Sequence, residues 1–227
     1  MVSFTHRLQH YAIFAQSGNF IAGVAVYSCV MTHELLIALA GFAVATTATP
    51  GPNNLMVMAS GANYGYRRTL PHLIGIALGF GVMIVMIGMV LLNVFERLPV
   101  LHLLLKIAGA AYMIWLAWKI ATAVPAGTAK VDGKPFSFLQ AAAFQWVNPK
   151  AWMMGITAIS TFATTDSILI GALIVGGVFT TVSLPIVSLW ALVGVQLRRW
   201  LGTAHRLRVF NVTMAALLVA SLWPMLR

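Results

Sequence analysis

Long apolar runs, cut only by short clusters of charged and turn residues, organise this chain. Six stand out, at about residues 35–62, 70–92, 98–120, 136–162, 168–195 and 207–226. None keeps the period of two that a half-buried strand or a membrane β-barrel requires. At 1.5 Å per residue, each is long enough to cross a hydrocarbon core about 30 Å thick as a helix. The pattern predicts an all-α, polytopic membrane protein with six transmembrane helices. The connections carry Arg67 and Arg68, Glu96 and Arg97, a polar stretch with Lys130, Asp132 and Lys134, then Asp166, and finally Arg198 and Arg199 through Arg208. They leave no room for a soluble domain.

Composition agrees. Of 227 residues, 60% are hydrophobic and only 8% charged, and the mean hydropathy is +0.91. A soluble domain keeps roughly a quarter of its residues charged, so most soluble enzymes are excluded, as are disordered and collagen-like chains. The single cysteine, Cys29, excludes a disulfide framework, a CxxC pair and a thiolate metal cage. A net charge of +10 points to topology before it points to nucleic acid, because Lys and Arg collect in the cytoplasmic loops of membrane proteins. No nucleic-acid partner, metal or cofactor is expected, and the oligomeric state is left open, a homo-oligomer included.

The first, third and fifth connections hold Arg67, Arg68, Lys119, Lys130, Lys134, Arg198, Arg199, Arg206 and Arg208, against Arg97, Lys106 and Arg227 on the other side. The positive-inside bias therefore places the first group in the cytoplasm and both ends of the six-helix core outside the inner membrane. Helices one and four then run in opposite directions. This predicts one transporter domain, residues 31–227, built of two inverted three-helix halves at about 31–125 and 126–227. Residues 1–30 read two ways. Residues 11–30 are apolar enough for a weak extra helix, though Gln16 to Asn19 interrupt it; alternatively Met31 is the natural start and the segment an upstream extension. No clear cleavage site marks a signal peptide.

Two of the predicted helices are broken near their middles. The first carries Thr49-Pro50-Gly51-Pro52-Asn53-Asn54, and the fourth Val147-Asn148-Pro149-Lys150. Each proline lacks an N–H and clashes with the carbonyl four residues back, so the carbonyls of Thr46, Ala48 and Gln145 are expected to be freed. Breaks at matched places in two inverted halves point to a substrate site at the membrane midplane. Asn148 then reads as an N-cap before Pro149, and Asn53 as a cap for the half-helix after Pro52. Two helix N-termini meeting there would suit a carboxylate.

Lys150 is the only Lys or Arg deep inside an apolar span, where a charge is expensive unless paired or wet. Glu34, Glu96, Asp132 and Asp166 all lie near span ends or in loops, so Lys150 has no acid at its depth. It is expected either to brace freed carbonyls, to lose its proton, or to meet a carboxylate on the substrate. His72 is the best-placed histidine for proton traffic; its plainer reading is an interfacial side chain bonded to a loop carbonyl. Gly75, Gly79 and Gly81, with Gly171, Gly176 and Gly177, read as close-packing positions. Ser60, Ser160 and Ser183 have no pattern tying them to a base, so an enzyme is not expected.

These residues resemble a known family. Pro50-Gly51-Pro52-Asn53-Asn54, followed by Gly61, Gly65, Arg68, His72, Gly75 and Gly79, looks like the first-half signature of the LysE/RhtB-type amino-acid exporters. Gly109-Ala110-Ala111-Tyr112 and Asn148-Pro149-Lys150 match the second part, and the likeness covers about residues 31–227. Residues 48–54, 115–121 and 155–162 look most like the cysteine/O-acetylserine exporters. The resemblance implies proton-driven efflux, by antiport, of small neutral amino acids, including threonine- and homoserine-like ones, across the cell inner membrane. Many relatives have Asp after Pro-Gly-Pro where this chain has Asn53, so a coupling role for that carboxylate does not transfer.

The expected substrate-binding residues are Pro50, Gly51, Pro52, Asn53, Asn54, Asn148, Pro149 and Lys150, with His72 and Lys150 the candidates for proton coupling. The partners are then an amino acid, protons and the bilayer. The alternative is an ion or metal efflux transporter or a channel of similar architecture, which the scattered His and acidic residues make a poorer match.

Overall fold

A computed structural model of the chain describes residues 31–91, 99–123, 134–163 and 167–223. The reading of residues 1–30, and Glu96, Arg97, Lys130, Asp132, Asp166 and Arg227, lie outside these. Among the described residues the structure is wholly helical. The helices are α1 (His33–Ala48), α2 (Pro52–Tyr64), α3 (Tyr66–Met86), α4 (Pro99–Ala121), α5 (Phe138–Gln145), α6 (Pro149–Phe162), α7 (Ile168–Leu201) and α8 (Ala204–Ala220), with a π-helical turn, Ile87–Leu91, continuing α3.

Their starts are written in the sequence. Thr32, Ser137, Asn148, Ser167 and Thr203 each turn a side-chain oxygen onto a first-turn N–H of α1, α5, α6, α7 and α8, and Ser137 forms a full capping box with Gln140. Between α2 and α3 the chain turns at Gly65, whose φ of 81° lies where a side chain would be strained. That turn places Arg67 and Arg68, both exposed, at the start of α3.

Among the described residues two helices are by themselves long and apolar enough to cross a membrane, Tyr66–Met89 and Ile168–Leu201, and α1 with α2 forms a third candidate, a pair bent by 58°. Six spans were expected, and the rest fall short among the described residues for identifiable reasons. The apolar stretch of α4 that qualifies is only Ile107–Ala121. The break before Pro149 splits α5 from α6, and α8 has 17 residues, with Arg206 and Arg208 in its opening turns. The large side chains facing away from the bundle are themselves apolar, among them Ile37, Val82, Leu139, Met153, Leu189 and Trp200, as a hydrocarbon solvent requires.

Backbone contact at glycine sets the core. A Cβ on Gly61 would lie 2.2 Å from the carbonyl oxygen of Ala191, and one on Gly194 would lie 2.0 Å from that of Met58. Helices α2 and α7 therefore cross with no side chain between them. Gly75 and Gly79 bring α3 as close to the α5 backbone, at Phe138 and Ala142, and Gly81 and Gly176 bring α3 close to α7, where Gly81 also makes room for the Thr180 hydroxyl. Gly177 departs from its expected packing role: nothing lies within 4 Å of a Cβ built there. The buried side chains form one cluster around Leu39, Met83, Phe162 and Phe179 and another around Met56, Leu116, Phe144 and Leu218, with Val57, Leu73, Ile76 and Val187 between. Both helix breaks abut that junction.

Candidate functional site

The first break follows from its prolines. Pro50 disfavours helical backbone at Thr49, which is extended in ψ at 132°, and Gly51 is fully extended before Pro52 opens α2. Gly51, not Asn53, is thus the N-cap, and it offers no side-chain bond. The expected capping role of Asn53 is replaced by a longer reach. At the second position of α2, Asn53 donates Nδ2 to Gln145 Oε1 at 2.8 Å and accepts at Oδ1 from Gln145 Nε2 at 3.2 Å. This reciprocal amide couple joins α2 to the last residue of α5.

Asn54 closes the break on itself. Its Nδ2 donates to the carbonyls of Thr47 and Thr49, both at 2.9 Å. Asn54 therefore takes up the carbonyls of Thr47 and Thr49, the neighbours of Thr46 and Ala48, whose carbonyls Pro50 and Pro52 leave without a helical N–H. The carbonyl of Gln145, expected to be freed, accepts from the Asn148 N–H at 3.3 Å.

The second break matches its reading. Asn148 caps α6, accepting from the Lys150 N–H at 3.1 Å, and Pro149 is the first helical residue. From the next position Lys150 crosses to the other break. Its stem lies on Gly51, where a Cβ would come within 2.8 Å of Cδ. Its Nζ donates to the carbonyl of Thr49. The two breaks are thus tied twice, once by an amide couple and once by an ammonium.

Between them lies a cavity of about 30 Å³, room for a few water molecules. Thr47, Gly51, Asn53, Asn54, Gln145, Asn148, Lys150 and Ser183 line it together with the apolar Ile76, Phe80, Ala151, Met154 and Val187. Lys150 is the only charged side chain among these lining residues. The first-turn N–H groups of α2 and α6 add partial positive charge. Positive charge from Lys150 and from two helix N-termini thus converges on one small cavity, which an amino acid would have to widen.

Of the residues expected from sequence, Gly51, Asn53, Asn54, Asn148 and Lys150 line this cavity, while Pro50 and Pro149 shape the breaks from outside the lining and Pro52 is buried at the head of α2. His72 does not join them. It is fully buried on α3, its ring 5.2 Å from that of Phe136, and neither nitrogen has a hydrogen-bond partner among the described residues. Among the described residues the expected loop-carbonyl bond is therefore not made. Sequence reasoning missed the side chains of Gln145, Thr47 and Ser183. The available signal was a polar residue inside an apolar run, three or four residues from a proline for the first two and two residues before Pro185 for the third. Among the described residues no group of three or more His, Cys, Asp or Glu comes together.

Comparison with known proteins converges on one group. The sequence model of the LysE type translocator matches residues 44–221. Over 199 residues the chain is 36% identical to the cysteine/O-acetylserine efflux proteins of Salmonella paratyphi A and Salmonella typhi, covering 83% of this chain and 96% of each relative. It is 39% identical over 132 residues to that of Escherichia coli strain K12, covering 58% of this chain and 67% of the relative. No solved structure matches.

Proposed function

The chain belongs to the LysE type translocator family, a transporter and not an enzyme, and from that premise we propose that it exports small neutral amino acids from the cytoplasm. The relatives' efflux of cysteine and O-acetylserine makes amino acids with short polar side chains the substrates of choice. The observation that carries the reading is the cavity where two half-helix N-termini and Lys150 converge with no acidic side chain among the lining residues.

A zwitterion fits that imbalance. Its carboxylate sits at the first turns of α2 and α6 beside Asn53, Asn54 and Asn148, and Lys150 swings from the Thr49 carbonyl onto it. The ammonium goes to the carbonyl-rich end of α1. The pairing of helices supports two inverted halves rocking about this point: α3 packs on α7 and α4 on α8, while α3 meets α5 as α7 meets α1. Exchange of halves reproduces each of these pairings, while the most extensive one, α2 on α7, has only a slight counterpart in α6 on α3. On this reading α1 with α2, and α5 with α6, are single broken spans, and the six-span count is restored with both core ends outside. Proton coupling runs through Lys150, whose ammonium has one partner without substrate and another with it.

The test is efflux from cells loaded with dipeptides, with and without this protein, repeated with the proton gradient collapsed. Protein-dependent, gradient-dependent release of cysteine, O-acetylserine, threonine or homoserine supports the reading. Release of none of them refutes it, and release of a metal or inorganic ion instead would favour the alternative transporter class.

A further inference from the structure

A hydroxyl on a buried helix has a ready partner in the carbonyl four residues back. Thr46, Thr69, Thr180, Thr181 and Thr213 take it, at 2.7, 2.9, 2.8, 2.9 and 2.9 Å. Thr47 and Ser183 do not. They are 8% and 1% exposed, yet neither hydroxyl has a hydrogen-bond partner among the described residues. Buried polar atoms left unpaired are rare enough that each asks for a reason. Both residues line the same cavity, from α1 and α7.

Their surroundings differ. Thr47 stands in the last turn of α1, where the helix presents carbonyl oxygens and the negative end of its dipole. Ser183 stands on α7 one turn from Val187, which lines the cavity with it, as do the apolar side chains of Ile76 and Phe80. The first setting suits an ammonium, and the second suits a short side chain carrying one polar atom.

We propose that Ser183 determines specificity, its hydroxyl pairing with the thiol, hydroxyl or ester oxygen of the substrate side chain, and that Thr47 accepts a hydrogen bond from the substrate ammonium. This rests on the cavity being the amino-acid site. A site that hydrogen-bonds a polar side chain turns away the analogue lacking it, because its own polar group is then left unpaired. One neutral hydrogen bond corresponds to roughly 2- to 12-fold in preference.

The test uses the full chain in proteoliposomes and compares export of cysteine with that of 2-aminobutyrate, which replaces the thiol by a methyl group. Ser183→Ala lowers the cysteine preference by roughly 2- to 12-fold, and Ser183→Cys, which keeps a weaker donor, lowers it less. Thr47→Val slows both substrates by a common factor and leaves their ratio unchanged. An unchanged ratio in Ser183→Ala at equal membrane abundance overturns the assignment; if that variant does not accumulate, the ratio in Ser183→Cys decides in the same way. An altered ratio in Thr47→Val overturns the division of roles. Wild-type protein that exports neither substrate counts against the function itself, an outcome distinct from these.

Discussion

Replacing Lys150 by methionine keeps most of the stem that lies on Gly51 and removes the ammonium. The wild-type ammonium donates to the Thr49 carbonyl and is the one charge lining the cavity. A hydrogen bond to a charged group is worth about 1.5–3 kcal/mol, and 1.36 kcal/mol is a factor of ten. Transport efficiency, Vmax over KM, should therefore fall by roughly 10- to 150-fold. The assay is efflux of labelled cysteine or O-acetylserine from proteoliposomes, with protein abundance and unfolding temperature measured in parallel. If Lys150 meets the substrate carboxylate, KM rises and the preference for an amino acid over its uncharged amide narrows. If Lys150 only braces the break, Lys150→Met lowers the unfolding temperature and leaves both quantities unchanged. Wild-type efficiency in Lys150→Met refutes both the substrate contact and the coupling route drawn through it.

Four further changes follow from the geometry. Asn53→Ala or Gln145→Ala leaves the other amide without its partner and costs about 1–3 kcal/mol; a double-mutant cycle on thermal unfolding should return a coupling of roughly 0.5–3 kcal/mol. Asn148→Ala removes the α6 cap and costs about 0.5–2 kcal/mol, while Asn148→Ser retains most of it by the same measurement. Gly61→Ala and Gly194→Ala force a Cβ to 2.2 and 2.0 Å from a carbonyl oxygen of the facing helix, so each should destabilise by about 1–3 kcal/mol; Gly177→Ala, with nothing within 4 Å, serves as the neutral control. His72→Leu should preserve export that an uncoupler abolishes, because His72 is packed on Phe136 outside the cavity lining; loss of that sensitivity would return the proton role to His72.

The sequence carried the helices and the breaks because both are local. Hydrophobic run length marks a membrane helix, and Asn148-Pro149 writes a cap and a first turn in two adjacent residues. The site's finer wiring is tertiary. Asn53 and Gln145 are 92 positions apart, and nothing in either neighbourhood names the other. Asn53 was read as a cap because its residue type favours that role, but extended backbone at Gly51 takes the position one proline earlier. Glycine shows the same limit. Gly177 and Gly176 are adjacent in sequence, yet only Gly176 faces another backbone, because the chain does not state which side a neighbour will approach. Thr47 and Ser183 look like ordinary helix hydroxyls until their missing back-bonds and their common cavity are seen together.

Outward movement of amino acids through a site whose one charged lining group is Lys150 can be measured directly. The most direct measurement puts the purified full-length protein alone in liposomes, loads them with labelled cysteine or O-acetylserine, and follows loss of label with and without an imposed pH gradient. Protein-dependent release is expected, accelerated by the gradient and cut by roughly 10- to 150-fold in Lys150→Met. Release equal to that from protein-free liposomes would contradict it.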